Sequence, residues 1–202
     1  MKISSLAGVA ASGLVLFLAC SKATVAPDSS VGAQASACST EEAMQYIQDH
    51  GTPDDLAGLR AAPESFRRIV YSASSPETKA RVWREHLEPF RAADSALTDA
   101  QRSELAAVVE VLTPEFFAEP GYAGLDLVAL QSSFGDLTGP VFGSLELDSS
   151  TRADPQCECS HAPLNDFCPG DLVCKDLAYN GCKPTTDGCG WFFKLPCTGL
   201  CK

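Results

Sequence analysis

The stretch Ser75 to Phe90, "SPETKARVWREHLEPF", decides the fold class. Ser75 places a hydroxyl where the orphan N–H groups of a helix start need an acceptor, and Pro76 presets φ for the first turn. Val82, Trp83, His86, Leu87 and Phe90 then recur at helical spacing, with Arg and Glu on the opposite side. A helix with one apolar stripe needs neighbours to bury it.

The same start signals return on both sides: Ser39 with Glu42, Thr52 before Pro53, Thr98 with Gln101, and Thr113 before Pro114. Leu105, Val108, Val109 and Leu112 make a second stripe. These signals predict helices over roughly 41–50, 53–60, 63–73, 76–93, 99–112, 114–119 and 124–134. The expected fold is an acidic all-α helical N-terminal domain over 39–134, long enough to bury one modest core.

The histidines are His50, His86 and His161, and none has a second ligand at a metal-binding spacing. His86, on the apolar stripe, is expected to cover core. The middle region has no nucleophile elbow, phosphate-cradling glycine loop or HExxH. The acid pairs Glu41 with Glu42 and Asp54 with Asp55 fall in first helical turns, where the macrodipole favours negative charge. The expectation is a chain that is not an enzyme, with no catalytic site, cofactor or metal.

Cysteine and charge divide the chain. Of ten cysteines, Cys20 and Cys38 stand alone, while Cys157, Cys159, Cys168, Cys174, Cys182, Cys189, Cys197 and Cys201 crowd the last 46 residues. The net charge of -11 sits almost wholly upstream of them. Without a clustered basic face the chain is not expected to bind nucleic acid.

Lys2 followed by an apolar run from Leu6 to Ala19 has the length and charge order of a secretory signal peptide, 1–20, rather than a membrane span. The run ends at "FLAC", which resembles a bacterial lipoprotein signal with Cys20 as the acylated residue, although Phe17 and Leu18 depart from the usual pattern. Ordinary cleavage near Cys20 and full secretion is the alternative. Residues 21–38 read as a flexible tether. Cys38 has no obvious partner: a free thiol, an intermolecular bridge or a bridge to another cysteine of the chain all stay open.

The segment 135–156, "GDLTGPVFGSLELDSSTRADPQ", reads as a linker with a possible processing site near Arg152 and Asp154. Residues 157–202 then form a small, loop-dominated module too short to be stable on an apolar core alone. In an exported chain its eight cysteines are expected to pair as disulfides, and the pairing is not readable from sequence. Zinc held by Cys157, Cys159 and His161 is one competing reading, and a redox dithiol at Cys157 and Cys159 is another. Oxidation after export opposes the first, and the lack of a helix start or βαβ pattern opposes the second.

"CECS" at 157–160, "NDFCP" at 165–169, Cys174, and "GCG" at 188–190 with Trp191 close behind resemble the fulvocin C type of bacteriocin, a small eight-cysteine antibacterial peptide. "SPETKARVWREHL" and "LTDAQRSEL" are similar to stretches of fulvocin-related exported precursors. At the C-terminus the chain departs from the family: Cys197 and Cys201 lie further apart, and Trp191 further from them. The resemblance implies an exported precursor whose module is the active part and whose helical region is a leader. It also implies a processing protease and a target-cell membrane or envelope as partners.

Under that reading Trp191, Phe192, Phe193 and Lys194 are an exposed tip for membrane or target contact. The bland alternative is that these rings form the module's own miniature core. The rival function is a lipid-anchored cell-envelope protein whose module binds or stabilises without being cleaved.

Overall fold

The structure, a computed structural model, describes residues 31–92, 96–145, 159–161, 164, 167–168, 172–176 and 188–202. The proposed signal sequence, Cys20, Cys157, Cys182 and the segment 146–158 lie outside the described residues, and so do the side chains of 31–40.

The N-terminal unit is all-α, as its caps and stripes predict. Its helices are α1 (Val31–His50), α2 (Leu56–Ala61), α3 (Arg67–Ala73), α4 (Pro76–Arg91), α5 (Asp99–Val111), α6 (Pro114–Ala118) and α7 (Leu127–Phe134). Ser75 caps α4 by accepting from the Thr78 N–H, and Thr113 caps α6 by accepting from Phe116 N–H. Thr98 and Gln101 close a capping box at α5. The exposed Glu77 and Glu115 carboxyls are held below the usual range, Glu77 chiefly by the Ser75 hydroxyl and Glu115 chiefly by its own N–H.

Four starts differ from expectation, and one is α3: Glu64–Phe66 form a 3-10 turn, so the α-helix begins at Arg67 rather than near 63. α1 begins at Val31, so Ser39 lies inside a helix and part of the proposed tether is helical. From Ala33 onward Ala, Gln and Glu continue without Gly or Pro as far as His50, and a hydroxyl inside such a run need not act as a cap. α2 is capped by Asp55, which accepts from Gly58 N–H, rather than by Thr52. Its Leu56 N–H also donates to Glu85 Oε2 of α4 at 2.8 Å. α7 is capped by Asp126, so it starts three residues later than predicted.

α4 is the centre of the unit and packs against α2, α5 and α6, while α1 packs against α3. Val82, Trp83 and Leu87 of its stripe are fully buried, and His86 is buried with Nε2 3.3 Å from Pro140 O. The core continues beyond α7 through a turn at Gly135–Leu137 and a π-helical turn at Gly139–Gly143. Val141, Phe142 and Leu145 are fully buried there. The proposed linker therefore cannot begin at 135: glycine and proline bend this chain, but its apolar residues belong to the core.

Among its described residues the module contains little regular structure. β1 (Cys174–Asp176) pairs antiparallel with β2 (Gly199–Cys201), Cys174 lying opposite Cys201. Cys159 bridges to Gly199 at the edge of this pair. Among the described residues the disulfides are Cys159–Cys174, Cys168–Cys201 and Cys189–Cys197. The two facing strand cysteines are thus tied to separate segments, which staples two further pieces of chain to one short ribbon.

Candidate functional site

The site is built on a loop, Gly188 to Cys197. The Cys189–Cys197 bridge closes eight residues of sequence separation, and Cys189 and Leu195 exchange both backbone hydrogen bonds at 3.0 Å. This hairpin leaves Gly190 to Lys194 to turn within five residues. The turn is made by left-handed backbone at Phe192 (φ 54°) and Phe193 (φ 56°). Bulky residues adopt φ above zero only under strain, of order 1–2 kcal/mol each. Burial of the rings opposes that cost.

Trp191, Phe192 and Phe193 are buried, and they belong to the same apolar cluster as α2 to α7. The Phe192 ring stands edge-on to Trp83 at 5.2 Å, and to Phe116 and Phe142 at 5.7 Å each. Phe193 meets Trp83 at 5.4 Å and Tyr71 at 5.7 Å. Trp191 stacks on Phe142 at 5.1 Å and meets Phe167 of the module at 5.5 Å. Offset and edge contacts of this kind add to plain area burial.

Polar groups fix the depth and rotation of the loop. Trp83 Nε1 donates to Tyr71 Oη at 2.9 Å, and Tyr71 Oη donates to Phe192 O at 3.2 Å. Trp191 Nε1 donates to Leu164 O at 2.6 Å. Arg68 Nη1 lies 3.1 Å from Cys197 Sγ and 3.6 Å from Cys189 Sγ, with its guanidinium over the Phe193 ring. Gly188 accommodates this arginine, since at φ 103° a Cβ would sit 3.1 Å from Arg68 Cδ. On the other flank Lys194 Nζ donates to Phe116 O and lies 3.8 Å from the Phe116 ring centroid. Burial pushes the Lys194 ammonium below its usual pKa, opposed by the Glu119 carboxylate.

Both sequence expectations for the tip are corrected. It is not exposed in this fold, because the helical unit covers it. Nor do these rings form a core private to the module: among the described residues Trp191 meets Phe167 of the module, while Phe192 and Phe193 are packed by α3, α4, α6 and the turn at Phe142. The partners that sequence reasoning missed are Arg68, Tyr71, Phe116 and Phe142. Phe142 carried a signal, as a large apolar residue in a stretch otherwise rich in glycine and polar residues. Arg68 carried none.

The other proposed residues divide. Cys159, Cys168, Cys174, Cys189, Cys197 and Cys201 are in disulfides, whereas Cys157 and Cys182 lie outside the described residues. Sγ atoms of Cys159, Cys168 and Cys201 lie within 4.8 Å of one another. Each is already bonded to sulfur, so this closeness is the packing of two bridges and offers no thiolate to a metal. His161 is exposed, and its N–H donates to Thr198 Oγ1. No helix among the described residues is long and apolar enough to cross a membrane.

Compared with known proteins, the chain matches no family model, no curated protein and no solved structure.

Proposed function

We propose that this chain is an exported precursor of a bacteriocin-like antibacterial peptide, in which the helical unit is a pro-domain that keeps the module's aromatic loop out of water. The observation that carries the reading is the burial of Trp191, Phe192 and Phe193 against helical residues. Fully burying such a ring stabilises by about 1.5–3 kcal/mol, so the docked loop holds roughly 5–9 kcal/mol of apolar burial. Separation in water forfeits that burial. At a lipid interface the same rings regain an apolar environment, with Lys194 placed to reach headgroups. The helical unit then serves as a folding partner, by offering the surface on which the strained loop closes, and as a mask until cleavage upstream of the module.

Export, by secretion or through acylation of Cys20, belongs to this reading and supplies the oxidising compartment that the bridges need. The alternative is an uncleaved, lipid-anchored envelope protein. One observation favours it: module and helices share a core, as parts that stay together do.

The intact mass of the exported protein separates the two. The precursor reading expects a released, fully oxidised piece of about 46 residues that inhibits bacterial growth. Recovery of only the full-length form acylated at Cys20 would overturn it.

A further inference from the structure

The helical unit holds the loop by noncovalent contacts, and they read shape as well as apolarity. The cleft floor is Trp83, with Phe116 and Phe142 on its walls around Phe192. Tyr71 Oη offers a hydrogen bond to a backbone carbonyl that is free to accept because the left-handed turn points it into the cleft. Arg68 lies against both sulfurs of the Cys189–Cys197 bridge and so contacts the loop in its oxidised, closed form.

The loop is also prepared for binding. The bridge and the Cys189 to Leu195 hydrogen bonds limit the freedom that docking must remove, and aromatic side chains lose few rotamers. A central buried aromatic anchor with polar groups at its edge is the arrangement that concentrates binding energy between separate chains.

We infer that this cleft binds the aromatic loop of a separated module in trans, so that the helical unit is an inhibitor of the peptide as well as its carrier. The inference rests on the precursor reading for its biological role, though the binding itself does not require natural cleavage. A cut upstream of the module then leaves a two-chain complex, and an apolar phase must compete before the peptide acts. A helical unit left at the producing cell recaptures peptide that returns. The module carries five acidic against four basic residues, so recapture is driven by apolar contact and is insensitive to salt.

The test uses the full-length chain with Cys20→Ser and Cys38→Ser, so that no bridge from these residues crosses the cut, and a specific protease site inserted between 146 and 158. After folding, oxidation and cutting, gel filtration and native mass spectrometry at micromolar concentration are expected to find one complex, unchanged by high salt. Phosphatidylglycerol vesicles are expected to extract the module, seen as co-flotation of the module alone. Phe192→Ala is expected to weaken the complex about hundredfold or more, and Phe193→Leu serves if the alanine variant does not fold before cutting. Uncut chain, whose cleft is filled, is expected not to capture labelled module.

Separation of the cut wild-type pieces at micromolar concentration without lipid would overturn the inference. Capture by uncut chain would overturn the cleft as the binding site. Either result leaves the precursor reading standing, since that is decided by the mass of the exported protein.

Discussion

Phe192→Ala tests the shared core most directly. Phe192 is fully buried, and its ring contacts Trp83 of α4, Phe116 of α6 and Phe142 of the π-helical turn. Removing a buried phenylalanine costs about 3–5 kcal/mol when the surroundings relax little. Alanine does not recover the backbone strain, because it too is disfavoured at φ 54°. With a urea dependence of about 2 kcal/mol per molar, a loss of about 4 kcal/mol lowers the unfolding midpoint by about 2 M. The assay follows far-UV circular dichroism for the helices and tryptophan fluorescence for Trp83 and Trp191 in one titration. Both transitions are expected to fall together, and Phe192→Gly is expected to be no worse than alanine, since glycine accepts this backbone freely. A helical transition that keeps its wild-type midpoint while the variant's module unfolds separately would refute the claim that the two parts share one core.

Tyr71→Phe removes the oxygen that accepts from Trp83 Nε1 and donates to Phe192 O. It is expected to cost about 1–3 kcal/mol in urea unfolding, because the buried indole N–H loses that acceptor. Replacing Cys189 and Cys197 together with serine opens a loop of sequence separation 8. The expected loss is about 2.5 kcal/mol in thermal unfolding, from chain entropy regained by the unfolded state. Burial pushes the Tyr122 phenol above its ordinary pKa near 10. A folded pKa raised above the unfolded one gives stability that is fully present below pH 10 and lost as pH rises past it. Urea midpoints measured across that range are expected to fall more steeply in the wild type than in Tyr122→Phe.

The helices were legible in local terms. Ser75, Thr98 and Thr113 do at the structure's helix starts what their spacing predicts, and the Val82 to Leu87 stripe is buried. Local rules were weaker where two of them competed. Ser39 offers a cap inside a run that can simply continue as helix, and helix propagation prevailed. Gly139, Pro140 and Gly143 signal a break, yet Val141 and Phe142 between them are core. Gly143 has a packing role as well, because Phe167 lies where a Cβ would be, 2.5 Å from the nearest ring carbon.

The candidate site was half legible. The density of cysteine and the aromatic run from Trp191 to Phe193 mark the loop without any structure. What Phe192 and Phe193 touch lies from 50 positions away, at Phe142, to 125 positions away, at Arg68, and no local pattern encodes such a distance. Arg68 reaches the Cys189–Cys197 bridge across more than a hundred residues of sequence, and Arg67 beside it and Arg84 on α4 look the same on paper.

By itself, then, the sequence determined the class of each half: capped amphipathic helices first, a disulfide-bonded loop module last. Both follow from hydrogen-bond and side-chain chemistry within a few residues. Only the tertiary structure decided that the halves are not independent. A core is filled by whichever apolar side chains reach it, and here the α4 centred cluster is completed by Phe192 and Phe193 from the module, held there by the Tyr71 hydroxyl and by the burial that strained backbone at the loop's tip requires.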